Sequence, residues 1–366
     1  MKNQSKQQEF NIAGKGKKKK LTLEQRLAAQ DIVVKLVFAS LFAGCGGSSK
    51  GYQLAEMLEL LAIEWDKNAR DSFSLNFPDV PVKAWDISQL TGKQILDTLG
   101  LQPGELDVFD ASPPCQGIST ANTNRDTSDD RNSLYLKTIK LINEVQPKVF
   151  VIENVSGLIK GTMKGFFNRV VDELSKLDYY CEYQMLKANE HGVPQARERC
   201  YIIGLRGDIY RKFGKLPLFP EPDMETAKRM RVCDVLPHIQ AFSPGQFQDR
   251  ITPSTRPFCT VTKTASAWVY DDNGLRRKPT IAELKVLSSF PPDFKLVGSF
   301  NQQWARIGNA VPPNLAKAIG LNICQRVLTQ VVLNYARNKQ AMLFAKEMSD
   351  RAISLYGEDS DMRQAA

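Results

Sequence analysis

Residues 110–119 read DASPPCQGIS, which sets a cysteine directly behind two prolines. Free cysteine usually packs in a core as a small hydrophobe. Pro113 and Pro114 point elsewhere, because each fixes φ, removes a backbone donor and restricts the residue before it. The apolar run 106–112, LDVFDAS, must end there, so Cys115 stands at the carboxyl end of a strand. Open α/β sheets bind their ligands at that end, and a thiolate there is a candidate for covalent catalysis. A second constellation lies in residues 41–52, LFAGCGGSSKGY, a glycine loop that follows a strand and opens a helix. Glycines let such a backbone turn tightly and approach a ligand. About twenty residues on, Glu64 ends the next strand, where a carboxylate accepts ribose hydroxyls. Trp65 offers a flat apolar face for an adenine, and Asp86, ending the third strand, could receive the adenine amino group. The loop lacks both the GxGxxG spacing and the GK[ST] ending of phosphate-binding loops. A phosphate-free adenosine cofactor, S-adenosylmethionine, suits that departure.

These residues need a frame to hold them. Strand-like apolar runs at 33–42, 61–65, 82–87, 106–112, 148–155 and 199–206 alternate with helical patterns such as 133–145, SLYLKTIKLINEV. The expected fold is α/β, Rossmann-like, a mostly parallel sheet with helices on both faces. After about residue 205 prolines interrupt the chain and periodicity fades until 281–290, IAELKVLSSF. The expected organisation is a basic disordered tail at 1–22, a catalytic and cofactor-binding domain at 23–205 and a small, irregular target-recognition domain at 206–300. A helical segment at 301–366 returns to the first domain. A short helix is expected at 23–31.

The chain has 366 residues and a net charge of +9. About two-thirds of that charge falls in the first thirty-five residues, around Lys15 and Lys17 to Lys20. Flexible lysines attract polyanions without sequence preference. No apolar run is long enough to span a bilayer, and the N-terminus has no signal-peptide core. That predicts an intracellular, cytoplasmic protein with no membrane partner. Seven scattered cysteines without a CxxC pair fit free thiols in a reducing compartment. Only two histidines exist, His191 and His238, in no ligand spacing, so no metal is expected.

Five segments in order, LFAGCGG, PPCQGIS, VIENV, QARER and RIGNAVPP, resemble the DNA cytosine-5 methyltransferases. The resemblance covers most of residues 36–206 and 275–320. It implies transfer of a methyl group from S-adenosylmethionine to carbon 5 of a cytosine flipped out of double-stranded DNA. By it Cys115 is the nucleophile and Glu153 the carboxyl group at N3. Arg199 holds the cytosine carbonyl and braces Glu153, and Arg197 lies near the phosphate backbone and the active-site loop. Phe42, Gly44, Gly46, Gly47, Ile87, Pro114, Leu134, Asn309 and Val311 match cofactor-pocket positions, beside Glu64, Trp65 and Asp86. The polar stretch from 117 to about 131 resembles the loop that closes over the flipped base. Gln116, Ser119, Arg131 and Gln195 are the expected DNA contacts.

The recognition region, about 206–255, is short for the family. That leaves a restriction endonuclease system or an accessory recognition subunit as partner, with the chain itself a monomer. An RNA cytosine-5 methyltransferase on the same scaffold would use identical chemistry, and a partner-dependent DNA methyltransferase subunit is a further reading. The presence of both Cys115 and Glu153 counts against a non-catalytic relic. The missing GxGxxG spacing and Trp65 count against a nicotinamide oxidoreductase.

Overall fold

A computed structural model describes residues 35–114, 130–155, 157, 164–245, 250–329 and 331, with the side chains of 130–133 and 164 left aside. Lys35–Asn334 forms one compact unit. The expected basic tail and the 23–31 helix lie outside the described residues.

Seven strands build the main sheet in the order β3-β2-β1-β4-β5-β7-β6. They are β1 (Val37–Leu41), β2 (Leu58–Ile63), β3 (Val82–Lys83), β4 (Val108–Ala111), β5 (Val149–Val155), β6 (Tyr179–Lys187) and β7 (Glu198–Arg206). The five strands β1 to β5 pair in parallel, and β7 runs antiparallel between β5 and β6. Parallel strands buried on both faces read as near-continuous apolar runs, and VFASL and VFVIENV do so. The sequence runs locate each of these strands except β6. Its YYCEYQMLK mixes aromatic and polar residues because it is the half-exposed edge of the sheet.

Alternation along each strand divides two cores. On one face Ala39, Leu41, Phe109, Phe150 and Ile152 pack with residues of the helices Gly92–Leu99, Asp130–Val145 and Lys164–Ser175. The Gly92–Leu99 helix starts at a Thr91–Gln94 capping box and stops at Gly100. On the other face Phe38, Val108, Val149, Val151 and Ile203 pack with Tyr52 of the helix Gly47–Leu54. Leu315, Ala316 and Ile319 of the helix Pro313–Asn322 complete that core. The late helix thus returns to the sheet built by the first half of the chain.

A second, four-stranded antiparallel sheet has the order β11-β10-β8-β9. It comprises β8 (Ile239–Ser243), β9 (Thr252–Pro253), β10 (Trp268–Asp271) and β11 (Arg276–Arg277). Its core joins Ile239, Phe242, Phe258 and Val269 to Leu284, Trp304 and Ile307. Cys45, Phe73 and Phe77 from the first half belong to the same cluster.

The contact between the helices Gly47–Leu54 and Pro313–Asn322 is backbone-close. A Cβ on Gly51 would lie 2.4 Å from both the Ala316 Cβ and the Pro313 carbonyl oxygen. Gly51→Val is therefore expected to destabilise the fold by about 1–3 kcal/mol. The measurement is urea unfolding, with a lower midpoint at unchanged slope. An unchanged midpoint would contradict this packing.

Candidate functional site

The carboxyl ends of β1 to β5 share one edge of the sheet. From β1 the chain goes to β2 and β3 on one side, then crosses to β4 and β5 on the other. That switch point opens a crevice at the carboxyl ends of β1 and β4. Phe42, directly after β1, has φ +57°. The left-handed turn costs a non-glycine residue on the order of 1–2 kcal/mol. Simple alternation would put Phe42 on the face of Ser40, yet it packs with Leu41 against the opposite core.

The glycine loop is held from two sides. The Gly44 amide donates to Glu64 Oε2 (2.8 Å), and the Asp66 amide donates to Glu64 Oε1 (2.7 Å). Glu64 therefore braces the loop and keeps a second lone pair on each oxygen for a ligand. A Cβ on Gly47 would lie 2.2 Å from the Val311 carbonyl oxygen, so only glycine permits that approach. Around Gly44, by contrast, a Cβ would meet nothing within 4 Å. Open backbone, a carboxylate with spare acceptors and the exposed Trp65 ring at 70 % fit an adenosine-bearing group. Asp86 is exposed, its Oδ1 accepting the Ser88 amide at 2.9 Å. Ile87 is buried, Leu134 packs half-buried against the same core, and Pro114 is half-buried. Val311 is buried, and Asn309 is exposed at the end of the helix Phe300–Asn309.

At the end of β5, Glu153 is buried and paired with Arg199 of β7, Nε to Oε1 at 3.1 Å. The antiparallel register sets Glu153 opposite Tyr201 and Val155 opposite Arg199, so the pair is a diagonal one. Arg197 and Gln195 are placed differently from expectation. Arg197 is 2 % exposed, and its Nη1 donates to the carbonyls of Val261 (3.2 Å) and Gly308 (3.0 Å). Burial, helped by the Arg199 charge, pulls it down to about 9, which still leaves it charged at neutral pH. Gln195 is 1 % exposed, donating to Ser288 Oγ (3.0 Å) and accepting the Val261 amide (3.2 Å). Gln195 and the Arg197 Nη1 are engaged with the segments around Val261, Ser288 and Gly308, while the Arg197 Nε has no hydrogen-bond partner among the described residues. Both residues hold the late segment that carries Asn309 and Val311. Arg306 adds to this joint through an ion pair to Asp66, Nη1 to Oδ1 at 3.0 Å.

Two buried acids went unmarked in the sequence reading. Asp110 of β4 accepts the Tyr52 hydroxyl at 2.9 Å, and Glu59 of β2 accepts the Ser40 hydroxyl. Burial pushes Glu59 up to about 8 and Asp110 up to about 7. The signal was an acidic residue inside each apolar strand run, LELLAI and VFDA. Burial also pushes the Cys45, Cys181, Cys200 and Cys259 thiols up to about 12, which makes them inert packing groups. Cys115, Gln116 and Ser119 lie outside the described residues, as does the Arg131 side chain.

A family model for the C-5 cytosine-specific DNA methylases matches residues 36–241 and 239–325. The type II methyltransferase M1.HphI of Haemophilus parahaemolyticus is 30% identical over 332 residues, covering 78% of this chain and 86% of that protein. The type II methyltransferase M.AquIA of Picosynechococcus is 34% identical over 204 residues, covering 54% of this chain and 80% of that protein. The crystal structure of the Dnmt2 methyltransferase of S. pombe has the same fold, with a TM-score of 0.58 at 19% identity. That match covers 81% of this chain and 99% of the other.

Arg197→Leu strands two buried carbonyls and is expected to cost about 2–4 kcal/mol of stability. Urea unfolding measures this, and a cost near zero would contradict the joint. The two buried acids predict a pH dependence. Between the ordinary carboxylate range and about pH 8 the fold holds protons that the unfolded chain has lost. The contribution of these two acids to stability therefore falls as pH rises through that window. Glu59→Gln removes one such proton, so thermal melting between about pH 5.5 and about pH 8.5 should decline less steeply than in the natural chain. Parallel declines would show that Glu59 ionises freely in the fold.

Proposed function

The chain belongs to the C-5 cytosine-specific DNA methylase family, and from that membership we propose how its own residues carry the reaction. The activity is that of a DNA (cytosine-5-)-methyltransferase, as in the type II modification enzymes. The observation that carries the residue assignment is the buried Glu153–Arg199 pair. It stands at the carboxyl edge, one strand from the one that leads to Cys115.

Carbon 5 of cytosine is a poor nucleophile. Cys115, as thiolate, adds to carbon 6, forming the S–C bond and pushing electron density toward N3. Glu153 gives N3 a proton, which neutralises that density and leaves carbon 5 enamine-like. Arg199 fixes Glu153 and presents positive charge to the cytosine carbonyl. S-adenosylmethionine, when bound, supplies the methyl group as a sulfonium carbon. Gly44 leaves room for it, Glu64 orients ribose hydroxyls and Trp65 covers adenine. Asn309 and Val311 close the same pocket from the late segment. Once carbon 5 carries the methyl group, water takes its proton, the restored C5–C6 double bond expels the Cys115 thiolate from carbon 6, and N3 returns its proton to Glu153.

A cytosine in a stacked duplex cannot be reached from the face this addition needs, so the base is flipped at a cost of a few kcal/mol. Gln116 and Ser119 follow the nucleophile in sequence and are assigned to the gap left in the duplex, and Arg131 to a DNA contact. The small sheet of residues 239–277 is assigned to target recognition. Type II relatives point to a role in modifying a short duplex site.

Expression in a host without cytosine methylation, followed by bisulfite sequencing, is expected to show methylation at one short motif. Cys115→Ala is expected to abolish transfer while retaining affinity for S-adenosylmethionine by equilibrium binding. Turnover persisting in that variant would overturn the mechanism.

A further inference from the structure

Three segments far apart in the chain meet beside the crevice assigned to the cofactor: the glycine loop, the helix Lys67–Asn76 and the helix Phe300–Asn309. Cys45 of the loop is buried in one cluster with Phe73, Trp304 and Ile307. Its thiol donates to the Arg306 carbonyl at 3.7 Å. A Cβ on Gly46 would lie 2.4 Å from the Phe77 ring, so the loop rests directly on the Lys67–Asn76 helix. Hydrophobic packing is non-directional. It sets the distances between these segments and leaves the aim of their polar groups to other contacts.

Those contacts converge on the corner 64–66. The Gly44 and Asp66 amides hold the two carboxylate oxygens of Glu64, at 2.8 Å and 2.7 Å. Arg70 Nη1 donates to the Glu64 carbonyl at 3.1 Å. Asp66 Oδ1 accepts the Ala69 amide at 2.8 Å and so caps the Lys67–Asn76 helix. The same oxygen forms the ion pair with Arg306 Nη1 at 3.0 Å. The Arg306 side chain is 17 % exposed, and its Nε is buried without a hydrogen-bond partner among the described residues. Leaving that donor unpaired costs stability, and a leucine would fill the space without the cost. Arg306 stands three residues before Asn309 on one helix, which puts the two about one turn apart.

We propose that Arg306 is a positioning residue for the cofactor, whose ion pair with Asp66 sets the aim of the Glu64 carboxylate toward the ribose hydroxyls. This rests on the assignment of Glu64 as the ribose ligand. Glu64 Oε1 is held by the Asp66 amide, so the carboxylate turns with the Asp66 backbone. That backbone is fixed on one side by the helix it caps and on the other by Arg306. Glu64 and Asn309, two polar groups assigned to one ligand, are thereby fixed relative to each other. The pair contributes direction more than stability. Asp66 is half exposed, and ion pairs that water reaches are worth little to a fold. Hydrogen bonds, by contrast, weaken steeply when misaligned. A carboxylate turned away from the crevice still accepts from water but no longer meets two neighbouring hydroxyls at once.

The test is equilibrium binding of two probes to the full chain, S-adenosylmethionine and its analogue without the ribose 2′- and 3′-hydroxyls. The natural chain is expected to prefer the first by on the order of tenfold or more. Asp66→Asn keeps an acceptor for the helix cap and removes the charge that Arg306 meets, and Arg306→Leu removes the guanidinium. Each is expected to weaken S-adenosylmethionine by on the order of tenfold and the analogue by much less, so that the preference shrinks. The double variant should shrink it no further than either change alone, and Arg306→Lys should restore part of it. Should Arg306→Leu not fold, Asp66→Asn carries the test. An undiminished preference in these variants overturns the proposal, even if melting temperature or both affinities drop, because a merely structural pair weakens both probes alike. Glu64→Ala separates the two readings. A preference lost in Glu64→Ala but kept in Asp66→Asn and Arg306→Leu defeats this inference alone. A preference kept in Glu64→Ala, or absent from the natural chain, defeats the assignment of Glu64 as well.

Discussion

The Val311 carbonyl rests against Gly47 with no space for a methyl group. Much of the remaining structure depends on that approach. It presses the helix after the glycine loop between the sheet and the returning helix Pro313–Asn322. Tyr52, 1 % exposed, is thereby driven into the face of β1 and β4, where its hydroxyl can reach Asp110. A wider spacing would admit water to Asp110 and Glu59 and let both ionise as ordinary carboxylates. The glycines of the loop thus have two separable tasks. Gly47 makes room for protein, and Gly44 leaves room that no atom of the described residues takes.

The cost of that closure is a set of buried polar groups without cations. Tyr201 Oη, for one, lacks a hydrogen-bond partner among the described residues. Each such group costs on the order of 1–3 kcal/mol. An apolar substitute at these positions would make a more stable sheet. Chains that retain unsatisfied groups do so most often near functional sites, and Tyr201 stands opposite Glu153 in the sheet. Arg197 shares that cost in part, since its Nε also lacks a hydrogen-bond partner among the described residues. It is as deeply buried, yet its guanidinium joins two segments that are 47 residues apart, at Val261 and Gly308.

Sequence carried the local parts of this arrangement and missed the non-local ones. The proline pair before Cys115, the glycine loop and the apolar runs of β1, β2, β4, β5 and β7 are short-range signals, each readable within ten residues. The nearness of Glu64 to the loop was legible because it follows a strand at the expected distance, and the Gly44 amide does donate to it. The alternation of Gln195, Arg197 and Arg199 was not enough to tell an inward side chain from an outward one. Its first two members are covered by residues 258–262, which a local pattern cannot announce. The edge strand β6 escaped for a related reason, since one exposed face removes the apolar run that marks a buried strand. Asp110 and Glu59 were visible as letters, but their meaning required knowing that the helix of Tyr52 lies over them.

The small sheet is where sequence reading expected a separate, irregular domain, and packing gives it a firmer base. Its core is shared instead. Phe73 and Phe77 of the helix Lys67–Asn76 pack into the cluster of Phe242, Phe258 and Trp304. Asn76 donates to the Lys295 carbonyl and accepts its amide, both at 2.8 Å, and Ser72 Oγ accepts the Val297 amide at 3.1 Å. Asp66 caps the same helix while pairing with Arg306, and sits two residues after Glu64. The strand end that braces the glycine loop is therefore also the anchor of the second sheet. A tilt of that sheet on a bound duplex would be felt at Asp66 and Glu64 before it reached the rest of the main sheet. The shared contacts have a mechanical consequence: the second sheet cannot move far from the helix Lys67–Asn76 without disturbing the segment that carries Asp66 and Glu64.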